Sequence, residues 1–136
     1  MYLVDTNIWL ERLLDQKRSQ EVGDFLASIS AEALLMSDFS LHSIGVILDR
    51  LEQRAILVQF VDDLFVQGKV ALVSVQPEDM VHLVETIDRF DLDFDDAYQY
   101  VAAEQSAAVV VSFDGDFDRT ERGRKTPAEI LATENA

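Results

Sequence analysis

Residues 107–117 read AAVVVSFDGDF; the part from Ala107 to Phe113 is almost continuously apolar, and it stops on acid. A stretch this short, β-branched and without polar alternation suits a strand buried on both faces, the pattern of a parallel sheet covered by helices. Asp114 and Asp116 follow at its carboxyl end. The chain opens the same way: residues 1–7, MYLVDTN, give a short strand from Tyr2 to Val4 closed by Asp5. Open parallel sheets bind their ligands beyond the carboxyl ends of the strands. If the two strands are neighbours, Asp5 and Asp114 face each other at that rim.

Between these runs, β-type segments alternate with helical periodicity, which predicts an α/β fold with the sheet between helices. Ser19 is expected to cap a helix carrying Val22, Phe25, Leu26 and Ile29 on one face. Residues 33–36 read as a second strand, followed by a helix from Ser37 or Asp38 to about Leu51. Residues 54–66 are strongly helical, with Leu57, Phe60, Val61 and Leu64 on one face; the further apolar surface from Ile56 and Phe65 reads first as ordinary core burial and second as part of a subunit interface. Residues 70–75 are the third strand. Pro77, at a first helical position, opens a helix expected to bury Met80, Val84 and Ile87. Asp93 caps a helix reaching about Gln105. Thr126, Pro127 and Glu129 form a capping box. A fifth strand within residues 121–125 would be unusually polar.

The 136 residues fit one domain, spanning 1–136, with 49% apolar and 27% charged residues. No apolar run approaches the roughly 20 residues that cross a bilayer. The opening residues lack the basic and apolar regions of a signal peptide, and the cytoplasm is the simplest expected compartment. Without cysteine there is no disulfide and no thiolate nucleophile or metal ligand. Eleven Lys and Arg against 26 Asp and Glu give a net charge of −15. That is the wrong sign for gripping nucleic acid through phosphates. Two features offset it: bound cations, and the cluster Arg119, Arg122, Arg124 and Lys125, which reads either as a solvated loop or as a local substrate-binding patch. An acidic surface also suits a basic protein partner.

Asp5, Asp96, Asp114 and Asp116 are the candidate chemistry. Three of them have a structural alternative: Asp5 as the cap of a helix beginning at Thr6, Asp96 as an N3 residue, Asp114 as an Asx-turn before Gly115. Taken singly those are the simpler readings. Carboxylates gathered from distant parts of a chain repel one another, and the gathering makes chemical sense when divalent cations neutralise it. Asp91, Asp93 and Asp95 alternate like an EF-hand loop, but positions six and twelve are Asp96 and Ala102. Asp114, Asp116 and Asp118 fail the same test at Arg119 and Lys125. There is no glycine-rich phosphate loop and no nucleophile elbow. The third strand ends without the aspartate a phosphorylatable receiver needs, and Asp5 is followed two residues later by Asn7, not a second acid. His82 reads as a surface or packing residue; His42 is nearer the expected site.

Three segments, LVDTN at 3–7, LDFDDAYQYVAAE at 92–104 and VVVSFDGDF at 109–117, resemble the PIN-domain family in order and spacing over nearly the whole chain. The similarity is greatest to VapC-like toxin ribonucleases of bacterial type II toxin–antitoxin pairs. The resemblance implies a three-layer α/β/α fold with a central parallel sheet of four to five strands. It also implies a homodimer and RNA cleavage with Mg²⁺ or Mn²⁺. Carried over, Asp5, Asp96 and Asp114 are metal-site acids and Asp116 a further acid beside them. Thr6 and Ser112 are hydroxyl neighbours that orient the carboxylates. A cognate antitoxin would carry a basic or aromatic segment into the acidic groove.

One element departs from the family pattern. The glutamate usual in the helix after the second strand is replaced within SDFSLHSIGVIL, where Ser43 holds its position. Asp38 lies five residues earlier, about 140° away on a helix, and is a poor stand-in; His42 points about 100° off. The expectation is therefore a metal-dependent endoribonuclease, with a degenerate PIN-fold binding or regulatory module as the alternative.

Overall fold

The computed structural model describes residues 1–134; residues 135–136, the end of the expected domain span, lie outside the described residues. Four short parallel strands, β1 (Tyr2–Val4), β2 (Leu34–Ser37), β3 (Ala71–Val73) and β4 (Val109–Val111), lie in the order β3-β2-β1-β4. The first and last strands are neighbours, with Leu3 opposite Val110 and Val4 opposite Val111. Consecutive residues of a strand point to opposite faces. Leu3, Leu35 and Val110 accordingly enter one core, and Val4, Met36 and Val111 the other.

The first core lies under α5 (Met80–Phe90) and α6 (Phe94–Gln105), whose Leu83, Ala97, Val101 and Ala103 meet Phe117 there. The second lies under α1 (Thr6–Leu13), α2 (Ser19–Ser28), α3 (Asp38–Arg50), α4 (Arg54–Val61) and α7 (Pro127–Glu134). Trp9, Phe25, Met36, Leu48 and Ile130 fill it. The layers are helix, sheet and helix, the architecture the sequence implied.

The local differences have physical causes. Ser19 does not cap α2: Arg18 holds that position, and the Ser19 hydroxyl accepts from Arg12 at 3.2 Å. The strand expected from Ala107 to Phe113 runs only from Val109 to Val111; its late start follows from the left-handed φ of 51° at Ala107. The fifth strand shrinks to one parallel bridge, Val111 to Lys125. On α5 the buried positions are Leu83 and Thr86 while Val84 is exposed; Pro77–Asp79 form a 3₁₀ turn, and the α-helix starts only at Met80. The capping box at Thr126 and Glu129 forms, each backbone N–H donating to the other side chain at 3.2 Å.

The helix expected over 54–66 changes character at Asp62, where a π-helical turn runs to Val66 and the Gln67 N–H reaches the Asp62 carbonyl at 2.8 Å. The wider turn brings carbonyls onto Gly68, where a Cβ would lie 2.4 Å from the Asp63 oxygen and 2.6 Å from that of Leu64. Gly68→Ala is therefore expected to destabilise the fold by about 1–3 kcal/mol, the usual cost of forcing an extra methyl into close packing. Thermal melting checks this; an unchanged melting temperature would mean the turn relaxes freely.

Candidate metal centre at the strand ends

Because β1 and β4 pair in register, the residues just beyond them converge. The Asp5 N–H donates to the Val111 carbonyl at 2.9 Å. Asp5 is also the cap of α1, accepting from the Thr6 N–H at 2.8 Å, so its structural reading and its place at the rim coexist. Asp114 caps a 3₁₀ turn, Gly115–Arg119, by accepting from the Asp116 N–H at 2.8 Å. Asp93 caps α6 by accepting from the Asp96 N–H at 2.8 Å, which places Asp96 in the first helical turn. Asp5, Asp96 and Asp114 line one open pocket of about 320 Å³, together with Thr6, Asn7, Phe39, Ser43, Asp93 and Asp95.

Carboxylate oxygens of Asp96, Asp114 and Asp116 lie within 4.8 Å of one another. Asp5 stands outside that grouping and is the most firmly held of the four. Its Oδ1 accepts from Gln99 Nε2 at 2.8 Å, and its Oδ2 accepts from the Ser112 hydroxyl at 2.7 Å. Gln99 is almost fully buried and ties the rim together, donating also to the Ser40 hydroxyl at 2.6 Å and accepting from Ser37 at 2.5 Å. The Thr6 hydroxyl donates to Ser40 rather than to an acid, and Thr6 holds Asp5 through its backbone N–H alone. Asn7 donates to Ser112 at 3.2 Å and accepts from the Phe113 N–H, joining α1 to the end of β4.

Burial pushes the Asp5 carboxyl above the usual range; the bonds from Gln99, Ser112 and Thr6 oppose that, and the Asp114 charge adds to it. Asp96 is pushed up to about 8, first by burial, then by the charges of Asp114 and Asp93, with smaller contributions from a contact with Asp114 and from Asp5. Its Oδ2 is buried without a hydrogen-bond partner. An orphaned carboxylate oxygen beside two further carboxylates is the donor set a hard divalent cation takes, so the residues fit such an ion.

The other sequence candidates do not line the pocket. Arg119 bonds Asp116 at 3.0 Å and the Phe90 and Asp91 carbonyls, and Arg124 bonds Asp118 and the Ser112 carbonyl. Arg122 donates to the Ala108 carbonyl, and Lys125 is exposed. These guanidinium groups brace the acidic loop. His42 lines a separate groove with Gly45, Asp49, Leu57 and Val58, away from the acids. His82 pairs with Glu104 on the surface. The Asp38 carboxylate takes the Tyr98 hydroxyl at 2.7 Å and does not line the pocket, whereas Ser43 does. Gln99 and Asn7 are the residues sequence reasoning missed as parts of the site. Gln99 lies three positions after Asp96 on α6, one helical turn along the same face, and that spacing was the available signal.

An acid-rimmed pocket at the carboxyl ends of a parallel sheet defines the class, and the PIN-domain profile matches residues 2–123. The chain belongs to the PIN-domain family. No curated protein matches it. Among solved structures it resembles VapC20 of Mycobacterium tuberculosis, described as a Sarcin-Ricin loop cleaving toxin, at 22% identity and TM-score 0.70, covering 87% of this chain and 93% of that one. A toxin–antitoxin complex from Klebsiella pneumoniae gives 18% identity and TM-score 0.75, with 93% and 98% covered. FitAcB from Neisseria gonorrhoeae gives 20% and 0.72, with 94% and 99% covered. At these identities the likeness is one of fold.

Proposed function

We propose that the protein is a divalent-metal-dependent endoribonuclease and the toxin of a toxin–antitoxin pair. The observation that carries this reading is the buried, unpartnered Asp96 Oδ2 within a three-carboxylate cluster. Asp96, Asp114 and Asp116 would hold Mg²⁺ or Mn²⁺, with Asp5 as the fourth acid on the buried side. When bound, such an ion lowers the pKa of a water and offsets charge on a scissile phosphate. The chain's own part is orientation. Gln99 and Ser112 fix the two oxygens of Asp5, Asp93 fixes the helix end that carries Asp96, and the Asp116 N–H fixes Asp114. Of the cluster Arg119, Arg122, Arg124 and Lys125 that follows Asp116, Lys125 is exposed and would be the cation to meet a phosphate backbone.

The family and the fold shared with toxin–antitoxin structures support the assignment. RNA as substrate, a cognate antitoxin with a basic or aromatic segment, a homodimer and a cytoplasmic setting belong to the same proposal. Among the described residues no helix is long and apolar enough to cross a membrane. A second reading, a PIN-fold binding module without nuclease activity, is favoured by Ser43 at the position of the usual glutamate and by the net charge of −15.

Two measurements separate them. Purified protein is expected to cleave a mixed RNA pool in Mn²⁺ and not in EDTA, and calorimetric titration is expected to show saturable Mn²⁺ binding. Saturable binding without cleavage of any RNA would favour the binding module. No binding at all would remove the metal centre.

A further inference from the structure

We propose that Phe94, which packs on Tyr98 as Phe39 does, is a stacking platform for an unpaired nucleobase next to the acidic pocket. Resting on the ribonuclease reading above, this platform is how single-stranded RNA would be held. Phe94 is the first residue of α6 and remains 50% exposed, although a buried phenylalanine contributes about 1.5–3 kcal/mol more than an exposed one. It stands between Asp93 and Asp95, and both of these line the pocket together with Phe39 and Asp96. Its position at the start of the helix offers it no capping role, since Asp93 already fills that place.

The ring is backed by a rigid support. Phe94 and Tyr98 have centroids 6.2 Å apart, and Phe39 and Tyr98 6.0 Å apart. Tyr98 is pinned at its far end, where its hydroxyl donates to Asp38 at 2.7 Å and accepts from the Val75 N–H at 3.0 Å. An exposed aromatic face held by a fixed neighbour is preorganised for a flat partner.

Charge then decides what the partner is. The chain carries −15, and the arginines nearest the acids in sequence are engaged with carbonyls and carboxylates. Asp93 and Asp95 flank Phe94 in sequence and line the pocket, and they would repel a phosphate. The face of a base is uncharged, and single-stranded RNA is commonly held by stacking bases on aromatic side chains. Affinity that the surface charge cannot supply would come from stacking.

The test is fluorescence anisotropy with a short labelled single-stranded RNA of mixed sequence, in Ca²⁺ to suppress turnover, beside the same strand made duplex. Phe94→Ala is expected to weaken single-strand binding about tenfold, as loss of one stacked base does, and Phe94→Trp to restore it. Light scattering follows the mass of each variant. Equal affinity of Phe94→Ala and wild type would overturn the platform even if wild type cleaves RNA. So would a wild type that binds no single strand, or a Phe94→Ala whose only change is loss of self-association, which would make the ring a protein contact. Phe94-dependent binding without cleavage would uphold the platform and sink the nuclease reading.

Discussion

Asp96→Asn is expected to lower Mn²⁺-dependent RNA cleavage by at least about 100-fold, as loss of a metal-site carboxylate does, while raising the melting temperature of the metal-free protein. The two effects have one cause. Asp96 is buried against Asp114, with one oxygen unpartnered, and its carboxyl is pushed up to about 8. An amide at the same place carries no charge to desolvate, and its N–H₂ can donate to Asp114. The helix start survives, since the cap is made by the Asp93 side chain to the backbone of residue 96. Cleavage assays and calorimetric melting on one preparation check both halves. Wild-type cleavage by this variant would remove Asp96 from the centre. Lost activity with a lowered melting temperature would mean that its role is structural.

The sheet was legible because its signals are local and strong. Short apolar runs mark β1 and β4, and the acids beyond them mark the carboxyl rim; that the two strands are neighbours was a condition in the sequence and is met in the fold. What was not legible depends on contacts between distant residues. The π-helical turn at Asp62–Val66 is set by carbonyls closing on Gly68, and nothing in the apolar periodicity of residues 54–66 announces it. Val84, expected to be buried, is exposed because the stripe of α5 runs through Met80, Leu83 and Ile87, and Thr86 is buried with its hydroxyl satisfied by the His82 carbonyl. Gln99 went unnoticed because a glutamine in a helix is ordinarily a surface residue; here its amide spans Asp5, Ser37 and Ser40. The basic cluster after Asp116 was visible as sequence, but its engagement in bracing carbonyls needed coordinates.

The metal-free protein is expected to lose stability as pH rises from about 4 to about 8, and divalent cations are expected to restore it. The carboxyls of Asp96 and Asp5 are both raised above their ordinary values by burial and like charge. In that window the folded state holds protons that the unfolded chain has released, so stability falls with rising pH. Below the ordinary carboxylate range both states are protonated and the contribution is fully present. Above about 8 Asp96 is ionised when folded, and its share has been lost. The gap in melting temperature between Asp96→Asn and wild type should therefore widen from pH 5 to pH 8, by about 3–5 °C for each kcal/mol involved in a domain of this size. Mn²⁺ takes the place of the proton, so at saturation wild type should gain stability in proportion to its occupancy while Asp96→Asn gains much less. A gap that stays constant across this range would show that Asp96 carries no such strain, and an equal response of both proteins to Mn²⁺ would show that it does not hold the ion. The same electrostatic cost that makes the acids unfavourable in the empty pocket would then need another explanation, since the neighbouring hydrogen bonds satisfy Asp5 but leave Asp96 Oδ2 without a partner.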